Sequence, residues 1–154
     1  MEISGLIRSV CPPEFLVSVM QDRATLLRLM PEGTKLDQIS PGRFAFSVTK
    51  GFGPVKLTLP GQLSLTPTGE GQDQVLTARA AHIIGGKVDL DLTLTFDATG
   101  QQTRLAYSGE IAATGLAGRV LRENRAKVNA VLKTLLTRLK LHAEARLRQS
   151  TATT

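Results

Sequence analysis

Aromatic and thiol side chains are scarce in this sequence. Its 154 residues include no tryptophan, one tyrosine and one cysteine, and aromatic residues make up 4% of the total. Grooves that bind nucleic acid by base stacking need several exposed aromatic rings, so nucleic acid is not an expected partner despite a net charge of +6. Cys11 alone cannot form an internal disulfide. We interpret it as a small buried thiol, with a reactive thiol as the less favoured alternative.

Residues of the kinds that carry catalytic or metal chemistry are also few. The two histidines, His82 and His142, lie sixty positions apart, and no His and Cys cluster has the spacing of a zinc site. The chain shows neither a Ser-His-acid arrangement in a recognisable context nor a phosphate-binding glycine loop. Asp89 and Asp91 are explained most simply as the solvent face of a strand, because apolar residues alternate with them. The sequence therefore indicates no catalytic residue, metal or cofactor, and it favours a binding protein over an enzyme without deciding the question.

Long apolar runs are missing as well. The chain begins without the basic region and apolar core of a signal peptide, and nowhere do eighteen apolar residues follow one another. We expect a cytoplasmic protein, with peripheral contact to the inner face of the membrane as a further expectation.

The most regular pattern lies near the C-terminal end, over residues 115–148. Apolar residues recur there at three- and four-residue steps and proline is absent, which predicts one long helix with an apolar stripe. The segment also holds nine of the nineteen Lys and Arg residues but only two of the thirteen Asp and Glu residues. The basicity of the protein is therefore concentrated on this helix. The predicted stripe consists of Leu116, Val120, Leu121, Val128, Val131, Leu132, Leu135, Leu136, Leu139 and Leu147.

The end of this helix combines basic and apolar residues in a stretch that we expect to extend past the sheet. A basic amphipathic segment can lie on an anionic membrane, so we predict contact with a membrane surface or with an acidic partner protein, and a solvated helix end is the alternative. The predicted contact residues are Arg138, Lys140, Arg146 and Arg148.

Upstream of the helix the pattern changes to that of a sheet. Residues 2–10 are predicted to form a strand, and residues 13–20 and 23–30 two short helices, the second capped by Asp22. From Thr34 to Thr114 apolar and polar residues alternate, which predicts half-buried antiparallel strands, with a bulge expected at Pro60-Gly61. The predicted fold is α+β: a curved antiparallel sheet of about seven strands wrapped around a long C-terminal helix. We expect a single domain over residues 1–148 and a flexible polar tail over residues 149–154.

Four short segments together resemble one protein family. They are MEISG at residues 1–5, GPVK at 53–56, GEG at 69–71 and TRLAY at 103–107. Their order and spacing resemble the family of G-type subunits of carbon monoxide dehydrogenase, in the START-like (SRPBCC, helix-grip) superfamily, and the resemblance covers about residues 1–140. That superfamily includes polyketide cyclases, ligand carriers and lipid-transfer domains. The resemblance implies a helix-grip fold whose sheet and helix enclose a hydrophobic ligand.

A curved sheet closed by a helix can enclose an apolar pocket, and the alternating strands and the helical stripe supply its candidate lining. The alternative is a solid core without a ligand. Asn124 and Tyr107 are polar groups at inward positions, where they would either anchor a ligand or make a structural hydrogen bond. The predicted ligand-binding residues are Phe44, Phe46, Leu57, Leu59, Leu90, Leu92, Leu94, Tyr107, Leu121, Asn124 and Val128.

Two functional hypotheses from different classes follow. In the first, the protein binds a quinone or lipid and, as the resemblance implies, acts as an accessory that recruits a molybdenum-type oxidoreductase to the membrane surface. In the second, it is an enzyme similar to polyketide cyclases or dehydratases, acting on a hydrophobic substrate in the same pocket through Tyr107, His82 or Glu110.

Overall fold

The computed structural model describes residues 1–30, 32–52, 54–82 and 86–152. Seven strands and four helices are described in these ranges. In chain order they are β1 (Glu2–Ser9), α1 (Pro13–Met20), α2 (Arg23–Leu29), β2 (Thr34–Ser40), β3 (Arg43–Phe52), β4 (Val55–Pro67), β5 (Gln74–His82), β6 (Gly86–Thr99), β7 (Gln102–Ala113), α3 (Gly115–Glu123) and α4 (Arg125–Ala152).

The strands form one antiparallel sheet in the order β1-β7-β6-β5-β4-β3-β2. Strand β6 shows why the alternating pattern produces it, because Leu92 and Leu94 are 2% and 0% exposed whereas Asp91 and Thr93, which alternate with them, face solvent. The predicted α+β fold, with a curved sheet, two short helices after the first strand and helices after the last, is confirmed. Asp22 caps α2 as predicted, since its carboxylate accepts a hydrogen bond from the backbone N–H of Thr25 at 3.2 Å.

The bulge expected at Pro60-Gly61 is not present in the pairing of β3 with β4. The register between β3 and β4 runs without a shift through Ser47 opposite Pro60 and Phe46 opposite Gly61. Pro60 is tolerated because, in the described residues, β4 pairs with β5 only from Gly61 onward, so the missing N–H of Pro60 breaks no ladder on that side. The register shift lies instead between Gln38 and Ser40 in β2.

The single long helix of the prediction is two helices. Asn124 ends α3 with φ −127° and ψ 31°, and α4 begins at Arg125. An asparagine side chain competes with the backbone for hydrogen bonds and therefore favours helix ends over helix interiors. At its other end α4 continues to Ala152, four residues into the segment predicted as a flexible tail, because that segment contains neither glycine nor proline.

The turns of α4 from Leu139 to Leu147 pack on the body, so the prediction that this stretch extends past the sheet is wrong. Leu139 and Ala143 are 2% and 0% exposed, and Leu147 packs against the same core cluster. The carboxylate of Glu144 accepts hydrogen bonds from the Ser9 hydroxyl at 3.1 Å and the Val10 backbone N–H at 3.2 Å. These contacts bind the C-terminal half of α4 to the end of β1.

The core consists of two clusters. The larger one joins β1, α1, β6, β7 and α4, and the smaller one lies under α2 and contains Leu36, Phe44 and Leu63. The half-buried side chain of Leu76 packs against both. No helix in the described part of the chain is long and apolar enough to cross a membrane.

Candidate functional site

The register places the predicted strand residues on one face of the sheet. Leu94 on β6 lies opposite Tyr107 on β7. On the other side of β6, Leu92 lies opposite Leu76 on β5. Buried side chains alternate with exposed ones along these strands, so the face that carries Leu94 and Tyr107 is the inner face, turned toward the helices.

Four of the predicted ligand-binding residues form the fully packed part of the inner face. Phe44 and Leu94 are 0% exposed, and Leu92 and Tyr107 are 2% exposed. They belong to different clusters, since Phe44 lies in the smaller cluster and the other three in the larger. The fully buried part of the inner face is therefore divided between the two core clusters.

A second set of inner-face side chains is only half-buried. It contains the predicted residues Phe46, Leu59 and Leu90 and two that the sequence reading missed, Ala78 and Ile111. Both Ala78 and Ile111 lie directly opposite Leu90, one on each neighbouring strand, so the strand alternation contained the signal for them. The side chain of the remaining predicted strand residue, Leu57, lies outside the described residues.

The helices place further half-buried residues near the sheet. Leu121 in α3, Val128 in α4 and Asn124 between the two helices are all half-buried, as are Leu132 and Leu135 one and two turns further along α4. Helix α3 packs mainly on β6 and also on β7. The break at Asn124 follows directly after the helix that packs on β6 and β7.

Tyr107 is a buried polar group in apolar surroundings. Its hydroxyl has no hydrogen-bond partner among the described residues, and burial raises the pKa of the phenol above its usual value. Gln74, on the same cross-strand row, is 4% exposed and its Oε1 atom likewise lacks a partner in the described part of the chain. The prediction missed Gln74, although its alternation with Leu76 and Ala78 places it on the inner face.

The residues considered for catalysis do not come together. Glu110 is exposed and lies on the outer face, opposite Asp91 and Glu2 on the neighbouring strands, so it is not a pocket carboxylate. Burial raises the pKa of the Cys11 thiol, which opposes thiolate formation. His82 lies at the end of β5 and is half-buried. The described residues contain no group of three or more His, Cys, Asp or Glu side chains that could hold a metal ion.

Asp89 and Asp91 lie on the outer face with a basic partner. Arg79 contacts Asp89 at 3.3 Å and Asp91 at 2.8 Å, and the hydrogen bond to Asp91 is the main reason why the pKa of Arg79 is raised. The side chains of Arg79 and Asp91 are 47% and 53% exposed and that of Asp89 is 29% exposed, so the pair with Asp91 contributes little to stability. They form the solvent side of β6, as the sequence reading favoured.

The four basic residues predicted on α4 do not form one surface. Arg138 and Arg148 are exposed, Lys140 is half-buried, and Arg146 contacts Asp22 at 3.6 Å. Leu141, three residues after Arg138, is 55% exposed. Residues at three- and seven-residue spacing share a helix face, so Arg138, Leu141 and Arg148 lie on one side of α4 and Arg146 is directed toward α2.

A polar cleft of about 390 Å³ separates α2 from the end of α4. The Thr25 hydroxyl donates to the Asp22 carboxylate at 2.8 Å and lies 3.3 Å from Nε2 of His142. Because its proton points at Asp22, the hydroxyl oxygen can accept the Nε2 proton of His142. The Thr25 hydrogen bond is also the main cause that lowers the pKa of Asp22.

Solved structures share this fold. A conserved protein from Geobacillus kaustophilus aligns with a TM-score of 0.74 at 16% identity, over 94% of this chain and 96% of its own. A protein from Thermus thermophilus aligns with a TM-score of 0.67 at 16% identity, over 95% and 99% of the two chains. The Zhui aromatase/cyclase from Streptomyces sp. R1128 aligns with a TM-score of 0.65 at 15% identity, over 97% of each chain.

No protein-family model matches the chain, and no curated protein matches it. At identities near 16% the structural similarity establishes the helix-grip fold and leaves function to be argued from the site itself.

Proposed function

We propose that the protein binds a hydrophobic small molecule, a quinone or a lipid, between the inner face of the sheet and helices α3 and α4. The observation that carries this proposal is that apolar side chains on the inner face and on the helices after β7 are only half-buried. Leu90 and Ile111 are half-buried on the sheet, and Leu121 and Val128 on the helices. Apolar surface left in water costs about 25 cal/mol per Å². An apolar ligand that covers these side chains would recover that free energy.

Two polar groups suit the ligand's head. Asn124 is half-buried where α3 ends and α4 begins, and Tyr107 offers a hydroxyl that has no partner among the described residues. A ligand carbonyl or hydroxyl that paired with either group would gain a hydrogen bond in a place of low dielectric. A quinone or a lipid headgroup supplies such atoms.

Organic extraction of the purified protein followed by mass spectrometry tests the proposal. We expect a prenylated or acylated molecule at close to one equivalent per chain. Delipidated protein should bind a short-chain quinone or a fatty acid with saturation. The proposal fails if the extract is empty and the delipidated protein binds neither compound.

The absence of native tryptophan provides a clean reporter. Leu90→Trp places an indole on the inner face, and Thr93→Trp places one on the exposed outer face of the same strand. Quinone should quench the first fluorophore with saturation and the second only by collision. Equal quenching of both would show that the quinone does not enter the inner face.

We propose in addition an accessory role, in which the loaded protein brings an oxidoreductase of the molybdenum type to the membrane surface. Its support is the resemblance to the G-type subunits of carbon monoxide dehydrogenase and the basic face of α4 around Arg138, Leu141 and Arg148. A basic residue near an anionic membrane contributes about 1 kcal/mol, and Leu141 can enter the interface.

Vesicle sedimentation tests the membrane contact. The wild type should bind phosphatidylglycerol vesicles but not phosphatidylcholine vesicles, and salt should weaken the binding because exposed charges are screened. The double variant Arg138→Gln, Leu141→Gln should lose it, whereas Arg43→Gln on the outer face of β3 should keep it. If all three proteins behave alike, the face serves a partner protein and not a membrane.

An enzyme of the polyketide cyclase or dehydratase kind is the second candidate. It is favoured by the similarity of fold to an aromatase/cyclase and by the buried hydroxyl of Tyr107 on the inner face. Glu110 has no part in this candidate, because it lies on the outer face. Turnover of a poly-β-keto thioester that Tyr107→Phe abolishes would establish it, and saturable binding of the same compound without turnover would exclude it.

A further inference from the structure

Two arginines lie directly opposite each other on the outer face of the sheet. Arg8 in β1 pairs in register with Arg104 in β7, and both side chains are exposed. Directly opposed residues of an antiparallel pair have Cβ atoms about 5 Å apart, and like charges at such positions destabilise the sheet. A pair of this kind needs a counter-charge.

The described residues form no ion pair with either arginine, and the candidate counter-charge is Asp97 on β6. Neither arginine lies within 4.0 Å of a carboxylate among the described residues, although Asp97 occupies the position opposite Arg104 on β6. Arg43, the other exposed arginine on a strand end, has no arginine opposite it, since it pairs with Ser64 and Ser40. The juxtaposition at Arg8 and Arg104 is therefore a local feature and not a property of every basic strand residue.

The two arginines also line one cavity. A space of about 280 Å³ is lined by Arg8, Arg104, Thr99, Gln102 and Thr103. The Thr103 hydroxyl donates to the Cys11 carbonyl at 2.6 Å and so is already occupied. The side chains of Thr99 and Gln102, exposed in the β6–β7 turn region, offer neutral donors, and no lining residue is acidic.

We propose that this cavity binds a phosphoryl group, with Arg8 and Arg104 as a paired clamp and Thr99 and Gln102 as neutral donors. Guanidinium groups bind phosphate oxygens through parallel N–H donors, and a dianion between them would convert the like-charge repulsion into two attractive contacts. The site lies on the face of the sheet opposite to the proposed hydrophobic ligand and is independent of it. A free phosphate compound and a phosphomonoester lipid headgroup present the same chemistry.

Titration with inorganic phosphate at constant ionic strength tests the site. Calorimetry or amide chemical shifts of β1 and β7 should show saturable binding, with chloride and perchlorate giving none. Arg8→Gln and Arg104→Gln should each weaken it about tenfold, the loss of one charge-assisted contact. The charge-matched control Arg43→Gln should leave it unchanged. Phosphate that acts no better than chloride, or an equal loss in Arg43→Gln, overturns the proposal.

Stability without phosphate gives a second, independent measurement. Removal of one arginine should not lower the urea midpoint in phosphate-free buffer, because it relieves repulsion, and phosphate should stabilise the wild type but not the variants.

Phosphatidylcholine vesicles with and without phosphatidic acid identify the source of the phosphoryl group. Vesicle capture that depends on phosphatidic acid and on Arg8 assigns a lipid headgroup, and phosphate binding without capture assigns a free compound. The clamp is wrong if phosphate stabilises the variants as much as the wild type.

Discussion

The ring of Tyr107 lies over Gly5 on the neighbouring strand, in the space that a Cβ atom at position 5 would occupy. Glycine is therefore needed at position 5 to leave room for the Tyr107 ring. Its backbone conformation does not require glycine, since Gly5 is not among the residues with positive φ. A tyrosine 2% exposed is accommodated in the sheet because the strand beside it has no side chain at this point.

Gly5→Ala should destabilise the fold by about 1–3 kcal/mol, the usual cost of overpacking. Urea unfolding measures it. In a Tyr107→Leu background the same substitution should cost much less, because the smaller side chain leaves room for the methyl group. Ser4→Ala, at the exposed position beside it, is the control. Additive effects of the two substitutions would refute the steric relationship.

Tyr107→Phe should leave the free protein as stable as the wild type or raise its unfolding free energy by about 1 kcal/mol, since it removes a buried hydroxyl that lacks a partner in the described part of the chain. If the hydroxyl holds the ligand's head, the same variant should bind a quinone about fivefold to tenfold more weakly. Stability and affinity would then move in opposite directions. A variant that loses stability and keeps its affinity would contradict both statements.

Alkaline pH should act through the same residue. Burial raises the pKa of Tyr107 in the folded protein, so the unfolded chain releases this proton first. The contribution of the protonated Tyr107 to stability is fully present below the ordinary tyrosine pKa of about 10, and it is lost as the pH rises through the pKa of the folded state. Because Tyr107 is the only tyrosine, difference absorbance reports its ionisation alone. Tyr107→Phe should show a smaller decline in stability over this range.

Asp22→Asn should show the opposite dependence, at acid pH. The Thr25 hydrogen bond is the first of the causes that lower the pKa of Asp22, so its contribution is present above the unfolded value of about 4 and is lost as the pH falls through the folded value. At neutral pH we expect a loss below about 1 kcal/mol, because Asn keeps the N-cap and removes only the charge that strengthens the contacts with Thr25 and Arg146. The difference in unfolding free energy between the variant and the wild type should disappear at acid pH. Asp37→Asn, at an exposed position in β2, is the control for the loss of one carboxylate.

Ala78→Phe should block the proposed ligand site by adding bulk opposite Leu90 on the inner face. Affinity for a quinone or fatty acid should fall at least tenfold, because the ring occupies the space that the ligand would take. Thr77→Phe adds the same bulk to the outer face of the same strand and should leave affinity unchanged. Urea midpoints of both variants separate a blocked site from an unfolded one. Unchanged affinity in folded Ala78→Phe would place the ligand elsewhere.

The sequence predicted the fold well where one periodicity was unambiguous. Strand β6 alternates without interruption, and its register with β5 and β7 follows. The break at Asn124 could not be predicted from periodicity, because Asn124 falls on the helical stripe at the right spacing. The preference of asparagine for helix ends was the local signal for it.

The degree of burial along one face of a strand could not be predicted from periodicity either. Leu90 and Leu92 occupy equivalent positions two residues apart, yet Leu92 is 2% exposed and Leu90 is half-buried. The difference depends on what covers each one, and coverage is a property of the assembled layers. The same holds for Leu139 and Leu147, which were expected past the sheet and pack against β1 and α1 in the larger cluster. Truncation after Leu136 would consequently remove core residues.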